Sequence, residues 1–273
     1  MVCFPNAKIN LGLHITGKLS DGYHTIETVF YPVNLCDILE IIENKKFING
    51  DKKVNISGTG LQTNVPDENN LCFKAYSLLD EIFKLPPVTI HLHKIIPMGA
   101  GLGGGSADAA FTLTTLTSLF NLNCSDEMLT TMAAKLGADC AFFIFNKPSF
   151  AQNKGEELSE IAVDLKGNFI TIIKPAFDIA TAMAYKKVNP KIPTKTLKEI
   201  ITLPHAKWST SLENDFEKFL FPDFPELHYI KKMLYNSGAW YASLSGSGSA
   251  VFGLFTEKPI LTDTSYSEFV FSL

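Results

Sequence analysis

A strict alternation of apolar and other residues runs from residue 7 to residue 15. A period of two is typical of a half-buried strand, and it places Lys8 and Asn10 on the polar face. The turn signal Ser20-Asp21-Gly22 follows, and residues 23–33 form a second run that predicts a strand. The chain is therefore expected to open with a β-hairpin.

Beyond the hairpin, helix and strand patterns are mixed without regular βα alternation, which favours an α+β fold. Helices are predicted over residues 69–83, 106–120 and 227–235, and between the N-cap Ser125 and Gly137. Strands are predicted over residues 88–96, 141–145, 170–173 and 250–255, with a long exposed connection over residues 189–211. The pattern changes near Phe150, so we expect two domains, 1–150 and 151–273.

The composition is that of a globular protein with a full core: 273 residues, 46% hydrophobic and 19% charged. A net charge of −4 argues against a nucleic-acid surface, where a basic patch is expected. The five cysteines are scattered without a CxxC pair, which argues against a disulfide framework or a zinc site. No signal-peptide pattern and no bilayer-length apolar run are present. We therefore expect a soluble, cytoplasmic protein without a nucleic-acid or membrane partner.

The sequence contains no arginine, so its 24 Lys-plus-Arg residues are all lysines. Its function therefore cannot depend on a guanidinium fork or an arginine finger. Any phosphate chemistry must use lysine, backbone N–H groups and metal ions. The H-R-D catalytic loop of a protein kinase cannot be formed either.

The strongest chemical signal is a glycine-rich segment between a predicted strand and a predicted helix. Five of the seven residues from Gly99 to Gly105 are glycine, which lets the backbone approach a ligand closely. Free N–H groups at the start of a helix attract phosphate, and this favours phosphate binding over a mobile loop without a ligand. The candidate phosphate-binding residues are Pro97, Met98, Gly99, Ala100, Gly101, Leu102, Gly103, Gly104, Gly105, Ser106 and Ala107.

Two other interpretations of this segment are weaker. Gly99, Gly101 and Gly104 form a literal G-x-G-x-x-G, but a dinucleotide site also needs a second strand that ends in Asp or Glu about 20 residues further on. A helix is predicted in that region instead. No Lys-Ser or Lys-Thr pair follows the last glycine, so the segment is not a P-loop.

Polar residues outside the loop leave alternatives open. Asp139, between a helix end and an apolar segment, is either a general base or an Asx turn. Lys8, beside Asn10, is either the cation that keeps this base ionised or a solvated edge residue. Tyr23 and His24 can stack on a base and hydrogen-bond its edge, or they are ordinary strand residues. The run Ser245-Gly246-Ser247-Gly248 is a plain turn or a place where backbone meets a ligand.

Together these segments resemble the GHMP kinase superfamily. The resemblance is carried by residues 97–107 and by the run Leu244-Ser245-Gly246-Ser247-Gly248-Ser249-Ala250-Val251-Phe252-Gly253. Other segments are similar to those of the superfamily members that phosphorylate diphosphocytidyl methylerythritol: Ala7-Lys8-Ile9-Asn10-Leu11-Gly12-Leu13, Asp21-Gly22-Tyr23-His24 and Leu136-Gly137-Ala138-Asp139. The match runs nearly end to end.

The resemblance implies a two-domain α+β GHMP kinase fold with the active site in the inter-domain cleft. It implies that Asp139 is the base, that Lys8 is its partner, and that the loop holds the phosphates of ATP, which acts with Mg²⁺. The substrate residues would be Asn10, Tyr23 and His24, with Tyr185 as the aromatic opposite Tyr23. No residue is assigned as a metal ligand. The partner would be the small cytidine diphosphate methylerythritol, and the chain a monomer or weak homodimer.

The sequence departs from the family pattern in two places, at Cys140-Ala141 and at residues 152–156. Three rivals stay open. A homoserine, mevalonate or sugar kinase would need no cytidine, and an NAD-dependent oxidoreductase would bind a nicotinamide cofactor. A non-catalytic nucleotide-binding module would be favoured by loss of Asp139 or Lys8, and both are present.

Overall fold

A computed structural model describes residues 1–48, 52–62, 65–261 and 266–273 of the chain. In chain order the strands are β1 (Val2–Cys3), β2 (Asn6–Lys18), β3 (His24–Cys36), β4 (Ile38–Glu43), β5 (Val54–Gly60), β6 (Val88–Lys94), β7 (Ser149–Gln152), β8 (Glu157–Glu160), β9 (Phe169–Lys174), β10 (Tyr241–Leu244), β11 (Val251–Phe255) and β12 (Ser267–Ser272). The α-helices are α1 (Leu71–Phe83), α2 (Gly104–Leu119), α3 (Asp126–Leu136), α4 (Cys140–Phe145), α5 (Thr181–Lys186), α6 (Leu197–Ile200), α7 (Trp208–Ser211), α8 (Asp215–Leu220) and α9 (Pro225–Asn236). This mixture confirms the predicted α+β class.

The chain divides into two compact units, and each is assembled from separated segments. The first unit comprises Met1–Ala7, Leu35–Pro97 and Gly103–Asn146. The second comprises Lys8–Asn34, Met98–Leu102 and Lys147–Leu273, so it includes most of the opening hairpin. The two units are interleaved along the sequence, and the division of the chain between residues 150 and 151 stays a prediction.

The first unit is built on a sheet with the strand order β1-β4-β6-β5. Strands β4 and β6 are antiparallel, whereas β5 and β6 are parallel. Alternate residues of β6 are buried, among them Val88, Ile90 and Leu92, and they pack with the apolar sides of helices α1, α2 and α3. Side-chain caps fix the starts of two helices, because Asn70 accepts from Cys72 N–H and Ser125 accepts from Met128 N–H.

The second unit contains two sheets, with strand orders β2-β3-β7-β8 and β10-β11-β9-β12. Helix α9 contributes Leu227, Ile230 and Leu234 to a core that also contains Ile173 of β9 and Val251 of β11. In the described part of the chain, no helix combines the length and the apolar character needed to cross a membrane.

The structure corrects the prediction of a strand over residues 141–145. Residues Cys140–Phe145 are a short helix that ends at Asn146, whose N–H donates to Phe142 O and whose φ is 52°. A short apolar run does not distinguish a buried strand from a buried helix by its periodicity. Four successive buried residues, Cys140 to Phe143, fit either element, so packing in the first unit decides between them.

One prediction of exposure is wrong, and a second holds only for part of its stretch. The polar face of β2 is buried together with its apolar face, because Lys8 and Asn10 make internal hydrogen bonds. The stretch 189–211 is not an exposed connection throughout. It contains α6, which begins with a capping box between Thr196 and Glu199, and α7, whose Trp208 is buried.

Candidate active site

The glycine-rich loop after β6 has a backbone that only glycine adopts easily. Gly99, Gly101 and Gly103 have φ values of 59°, 73° and 74°, in the left-handed region that costs other residues about 1–2 kcal/mol. The alternate residues Ala100 and Leu102 are buried and anchor the loop by their side chains. Glycine at every second position therefore fixes the path of the loop.

The carbonyl groups of this loop are used by the protein. Gly99 O accepts from Ser249 N–H at 3.2 Å, Ala100 O from Ala250 N–H at 3.1 Å, and Leu102 O from Lys8 N–H at 2.9 Å. Across the described residues, Met98 and Gly99 form a turn that directs Ala100 N–H towards Pro97 O, whereas the N–H groups of Gly99, Gly101 and Leu102 donate to no backbone carbonyl. The loop therefore keeps unused donors, which is the property that an anion-binding loop requires.

Helix α2 begins directly after the loop without a side-chain cap. Its N-cap is Gly103, which has no side chain to accept from the first N–H groups. These N–H groups and the helix dipole favour an anion at this end of the sixteen-residue helix. Ser106 lies in the first turn, where its hydroxyl hydrogen-bonds to the Cys140 thiol. The start of α2 is therefore suited to phosphate.

Lys8 is buried next to the glycine-rich loop, with 3% of its surface exposed. Its Nζ donates to Asn10 Oδ1 at 2.6 Å and to Gly101 O at 3.0 Å. Asn10 Nδ2 donates to Thr28 Oγ1, which in turn donates to Gly12 O. This chain of hydrogen bonds fixes Lys8 against the loop and fixes which face Asn10 presents.

The second glycine-rich turn packs against the first. A Cβ placed on Gly101 would lie 1.9 Å from Ser245 O, and Ser245 Oγ donates to Gly101 O at 2.9 Å. Asn214 holds this turn from the other side, because its Nδ2 donates to Leu244 O and to Gly246 O. The run 245–248 is therefore more than a plain turn: it supports the candidate phosphate loop.

Asp139 belongs to the first unit and immediately precedes α4 as its N-cap residue. Its side chain makes no capping hydrogen bond to that helix, so the Asx-turn interpretation has no support there. Helix α3 ends at Leu136, and Gly137 follows with an extended φ of 173° rather than a left-handed one. The structure thus places Asp139 at a sharp junction between two helices.

The candidate base-binding residues fall into two groups in the second unit. The rings of His24 and Tyr185 stack with centroids 4.9 Å apart, and Tyr185 also meets the edge of Phe216. Tyr23 is 62% exposed and lies beneath Lys154, whose Nζ is 4.3 Å from the ring centroid. Burial, together with nearby Lys18, lowers the pKa of His24, which favours its neutral imidazole.

Sequence reasoning assigned no role to several residues that shape this region. Thr28 and Asn214 act through hydrogen bonds to β2 and to the second glycine-rich turn, and nothing in their neighbourhood in the sequence indicates those partners. Lys154 pairs with Asp21 at 2.8 Å across the β-hairpin region. The turn signal at Ser20-Asp21-Gly22 predicts that Asp21 is exposed, but it does not indicate which lysine pairs with it.

Comparisons with known proteins give one consistent result. The model of the GHMP kinases N terminal domain matches residues 70–147, and that of the GHMP kinases C terminal matches residues 193–261. The chain is 51% identical over 267 residues to a 4-diphosphocytidyl-2-C-methyl-D-erythritol kinase of Bacteroides fragilis, which covers 97% of this chain and 96% of the relative. The chain is also 50% identical over 271 residues to the protein of that name from Bacteroides thetaiotaomicron, and this match covers 99% of this chain and 98% of the relative.

A solved structure agrees with these relatives. A crystal structure of 4-(cytidine 5'-diphospho)-2C-methyl-D-erythritol kinase superposes with a TM-score of 0.76 at 32% identity. The superposition covers 93% of this chain and 90% of that one. The similarity therefore extends over both compact units rather than over one motif.

Proposed function

The chain belongs to the 4-diphosphocytidyl-2-C-methyl-D-erythritol kinase family of GHMP kinases, and on that premise we propose how its residues carry out the reaction. The reaction transfers the γ-phosphoryl group of ATP to the 2-hydroxyl of 4-diphosphocytidyl-2-C-methyl-D-erythritol. It is a step of the non-mevalonate route to isoprenoid precursors. The enzyme is thus a phosphotransferase with an alcohol acceptor.

The loop and the start of α2 bind the phosphates of ATP in this proposal. The observation that carries it is that the loop carbonyls accept hydrogen bonds from the protein, while the N–H groups of Gly99, Gly101 and Leu102 donate to no backbone carbonyl. The uncapped first turn of α2 adds further donors, and Ser106 adds a hydroxyl. Backbone donors fixed before the ligand arrives stabilise charge in the transition state without reorganisation.

Asp139 acts as the general base that accepts the proton of the substrate hydroxyl. Phosphoryl transfer depends mainly on positioning and on charge stabilisation, so the base has to orient the attacking oxygen as well as take its proton. Lys8 supplies a fixed positive charge, because Asn10 and Gly101 O hold its ammonium group. In a chain without arginine this lysine takes part of the role that an arginine has in other phosphotransferases.

The cytidine end binds near Tyr23, His24 and Tyr185. The 4.9 Å between the His24 and Tyr185 rings is a contact distance for a ring pair, so a base stacks on that face of Tyr185 only after His24 moves off it. The neutral imidazole then has one N–H donor for an acceptor on the cytosine edge. Stacking alone accepts any base, so the choice of cytosine falls to hydrogen bonds of this kind.

Mg²⁺ accompanies ATP in this proposal and neutralises charge on its β- and γ-phosphates. In the part of the chain that the structure describes, no group of three or more His, Cys, Asp or Glu side chains is arranged to hold a metal ion. Mg²⁺ usually keeps several waters and binds substrate phosphates rather than an all-protein cage. Holding by ATP and water suits this donor set, and we assign no residue as a ligand.

Two further properties are part of the proposal. The five cysteines are free thiols, which suits the reducing cytoplasm as the site of action. We also propose that the chain works as a monomer or a weak homodimer, and sedimentation over a range of protein concentrations tests this directly.

A turnover assay tests the proposed function. We expect ATP-dependent ADP release with 4-diphosphocytidyl-2-C-methyl-D-erythritol, and little with homoserine, mevalonate or the free methylerythritol phosphate. Asp139→Asn serves as the control for chemistry, because it keeps the shape of the side chain but cannot accept the proton. Equal turnover of homoserine or mevalonate would contradict the cytidine assignment, and ADP release without any acceptor would contradict the kinase assignment.

A further inference from the structure

Three ionisable side chains form a buried cluster in the first unit, and the reaction as described does not use them. Lys94, at the end of β6, donates to Asp37 Oδ2 and to Asp108 Oδ2, the latter at 2.8 Å. None of the three side chains is more than 4% exposed. Burying two carboxylates and an ammonium group is costly unless they are paired and hydrogen-bonded, and here Lys94 pairs with both carboxylates.

The contacts of the cluster join the two chain segments that flank the glycine-rich loop. Asp37 Oδ1 accepts from Ile95 N–H at 2.5 Å and from Ile96 N–H at 2.8 Å, which fixes the chain as it leaves β6. Asp108 lies on α2, the helix that follows the loop. Lys94 bonds to both carboxylates and thereby ties the strand end to the helix.

The ammonium group of Lys94 also lies directly under the first residue of α2. A Cβ placed on Gly104 would be 2.9 Å from Lys94 Nζ and 2.9 Å from Ile96 Cγ2. Glycine at position 104 therefore allows the helix to begin on top of the cluster. A shift of Lys94 or Asp108 would move the first N–H groups of α2 with it.

We propose that Asp108 is a positioning residue for ATP: acting through Lys94 and Asp37, it holds the first turn of α2 where its N–H groups meet the phosphates. The inference rests on the proposed function, because it assumes that ATP phosphates bind at this helix start. Asp108 is buried and its carboxylate accepts from Lys94, so its role in this proposal is indirect. The proposed phosphate-binding N–H groups of Gly104 to Ser106 lie about one helical turn before it.

The charge of the cluster adds a measurable consequence. Asp108 is faced by Lys94 of β6, by Asp37 before β4, by Cys72 of α1 and by Cys3 of β1. Burial raises the pKa of Asp108 to about 7, the charge of Lys94 acts against this, and Asp37 adds to it. Within the described residues Oδ1 of Asp108 has no hydrogen-bond partner, which also favours the neutral carboxyl.

The net charge under the helix start therefore depends on pH. Burial works to lower the pKa of Lys94, but the two carboxylates outweigh it and the lysine stays charged. With Asp108 neutral the cluster has no net charge, and with Asp108 ionised it carries one negative charge. A negative charge at this place repels ATP phosphates. Binding of ATP should therefore weaken as the pH rises through 7.

The test compares three variants with the wild-type enzyme, using steady-state kinetics for both substrates from pH 6 to pH 9. Asp108→Ala removes the tie, and we expect KM for ATP to rise roughly tenfold while KM for the acceptor and kcat stay within about threefold. Asp108→Asn keeps an acceptor for Lys94, so it should retain the wild-type KM for ATP near pH 6. Lys53→Met is the matched control, because it breaks the more exposed Lys53–Asp80 pair of the same unit and should change neither KM.

The pH profile separates positioning from a merely structural role. Relative to Asp108→Asn, the KM for ATP of the wild type should rise about three- to tenfold between pH 6 and pH 9, because one charge near the phosphates appears only in the wild type. If Asp108→Ala fails to fold, this comparison alone decides. Parallel pH profiles, or a folded Asp108→Ala enzyme with a wild-type KM for ATP, would overturn the inference. A wild-type chain that does not bind ATP would overturn the proposed function first.

Discussion

Gly101→Ala is the perturbation with the clearest expected consequence. A Cβ at this position would lie 1.9 Å from Ser245 O and 2.8 Å from Ser245 C, whereas ordinary contacts begin near 3.4 Å. Both opposing atoms are backbone, so no side chain can rotate away. The loop and the turn 245–248 would have to separate by more than 1 Å, and the carbonyl of Gly101 would move with them.

The size of the effect follows from two separate terms. A residue other than glycine at a φ of 73° costs about 1–2 kcal/mol, and forcing an extra methyl into a filled space typically costs about 1–3 kcal/mol. Together they lower the free energy of unfolding by roughly 2–5 kcal/mol, and this lowers the melting temperature of a protein of this size by about 10 °C. Turnover should fall as well, because Lys8 Nζ loses its 3.0 Å hydrogen bond to Gly101 O.

Gly167→Ala separates the two terms. Gly167 has a φ of 84°, but nothing lies within 4 Å of a Cβ placed there, so this variant measures the backbone term alone. Thermal unfolding followed by circular dichroism, with ADP release measured well below the melting temperature, gives both readouts. We expect Gly101→Ala to melt clearly below Gly167→Ala and to lose activity that Gly167→Ala keeps. Equal melting temperatures for the two variants would show that the contact with Ser245 does not constrain the loop.

Three further predictions concern the chemistry and the charges. Asp139→Asn should lower kcat about 10²–10⁴-fold with ATP affinity and melting temperature unchanged, and near-normal turnover would remove Asp139 as the base. Tyr185→Ala and Tyr23→Ala should each raise KM for the cytidine substrate roughly tenfold with KM for ATP unchanged, since a stacked base contributes about 1–3 kcal/mol; an unchanged acceptor KM would argue against stacking. Because the folded pKa of Asp108 is raised above its unfolded value, its contribution to stability is present at acidic pH and is lost as the pH rises towards about 7. The free energy of unfolding of the wild type should fall relative to Asp108→Asn by roughly 1 kcal/mol per pH unit between pH 5 and 7, measured by urea unfolding, and parallel curves would contradict the assignment.

The parts of the fold that the sequence predicts well are those with strong local signals. The opening hairpin is predicted by alternation and a turn, and α2 by the glycines before it and its apolar content. The wrong prediction over residues 141–145 lacks such a signal, since six apolar residues in a row have no period. The burial of Lys8 could not be predicted either. Its partner Gly101 O lies 93 positions away, and only the folded chain brings the two together.

The candidate site shows the same division. Residues in glycine-rich runs are recognisable because several glycines close together indicate a backbone with positive φ values, as at Gly99, Gly101 and Gly103. The positions that support them are single polar residues in otherwise apolar surroundings. Asp37 and Lys94 are separated by 57 positions, and neither has a neighbour that indicates an ion pair. A local sequence pattern cannot predict a buried cluster of this kind, because its residues come together only when the strands that carry them become adjacent in the fold.

The absence of arginine explains how such supporting residues are used. A guanidinium group approaches a phosphate with a rigid fork of donors, whereas an ammonium group is a compact point charge with three donors. In this chain the ammonium groups of Lys8 and Lys94 are both buried and bonded to the protein rather than left at the surface. Lys8 donates to a loop carbonyl, that of Gly101, and Lys94 Nζ lies 2.9 Å from the place where a Cβ on Gly104 would be. In the proposed mechanism, the lysines therefore serve phosphate binding mainly by orienting backbone N–H groups, and these N–H groups take the place of a guanidinium.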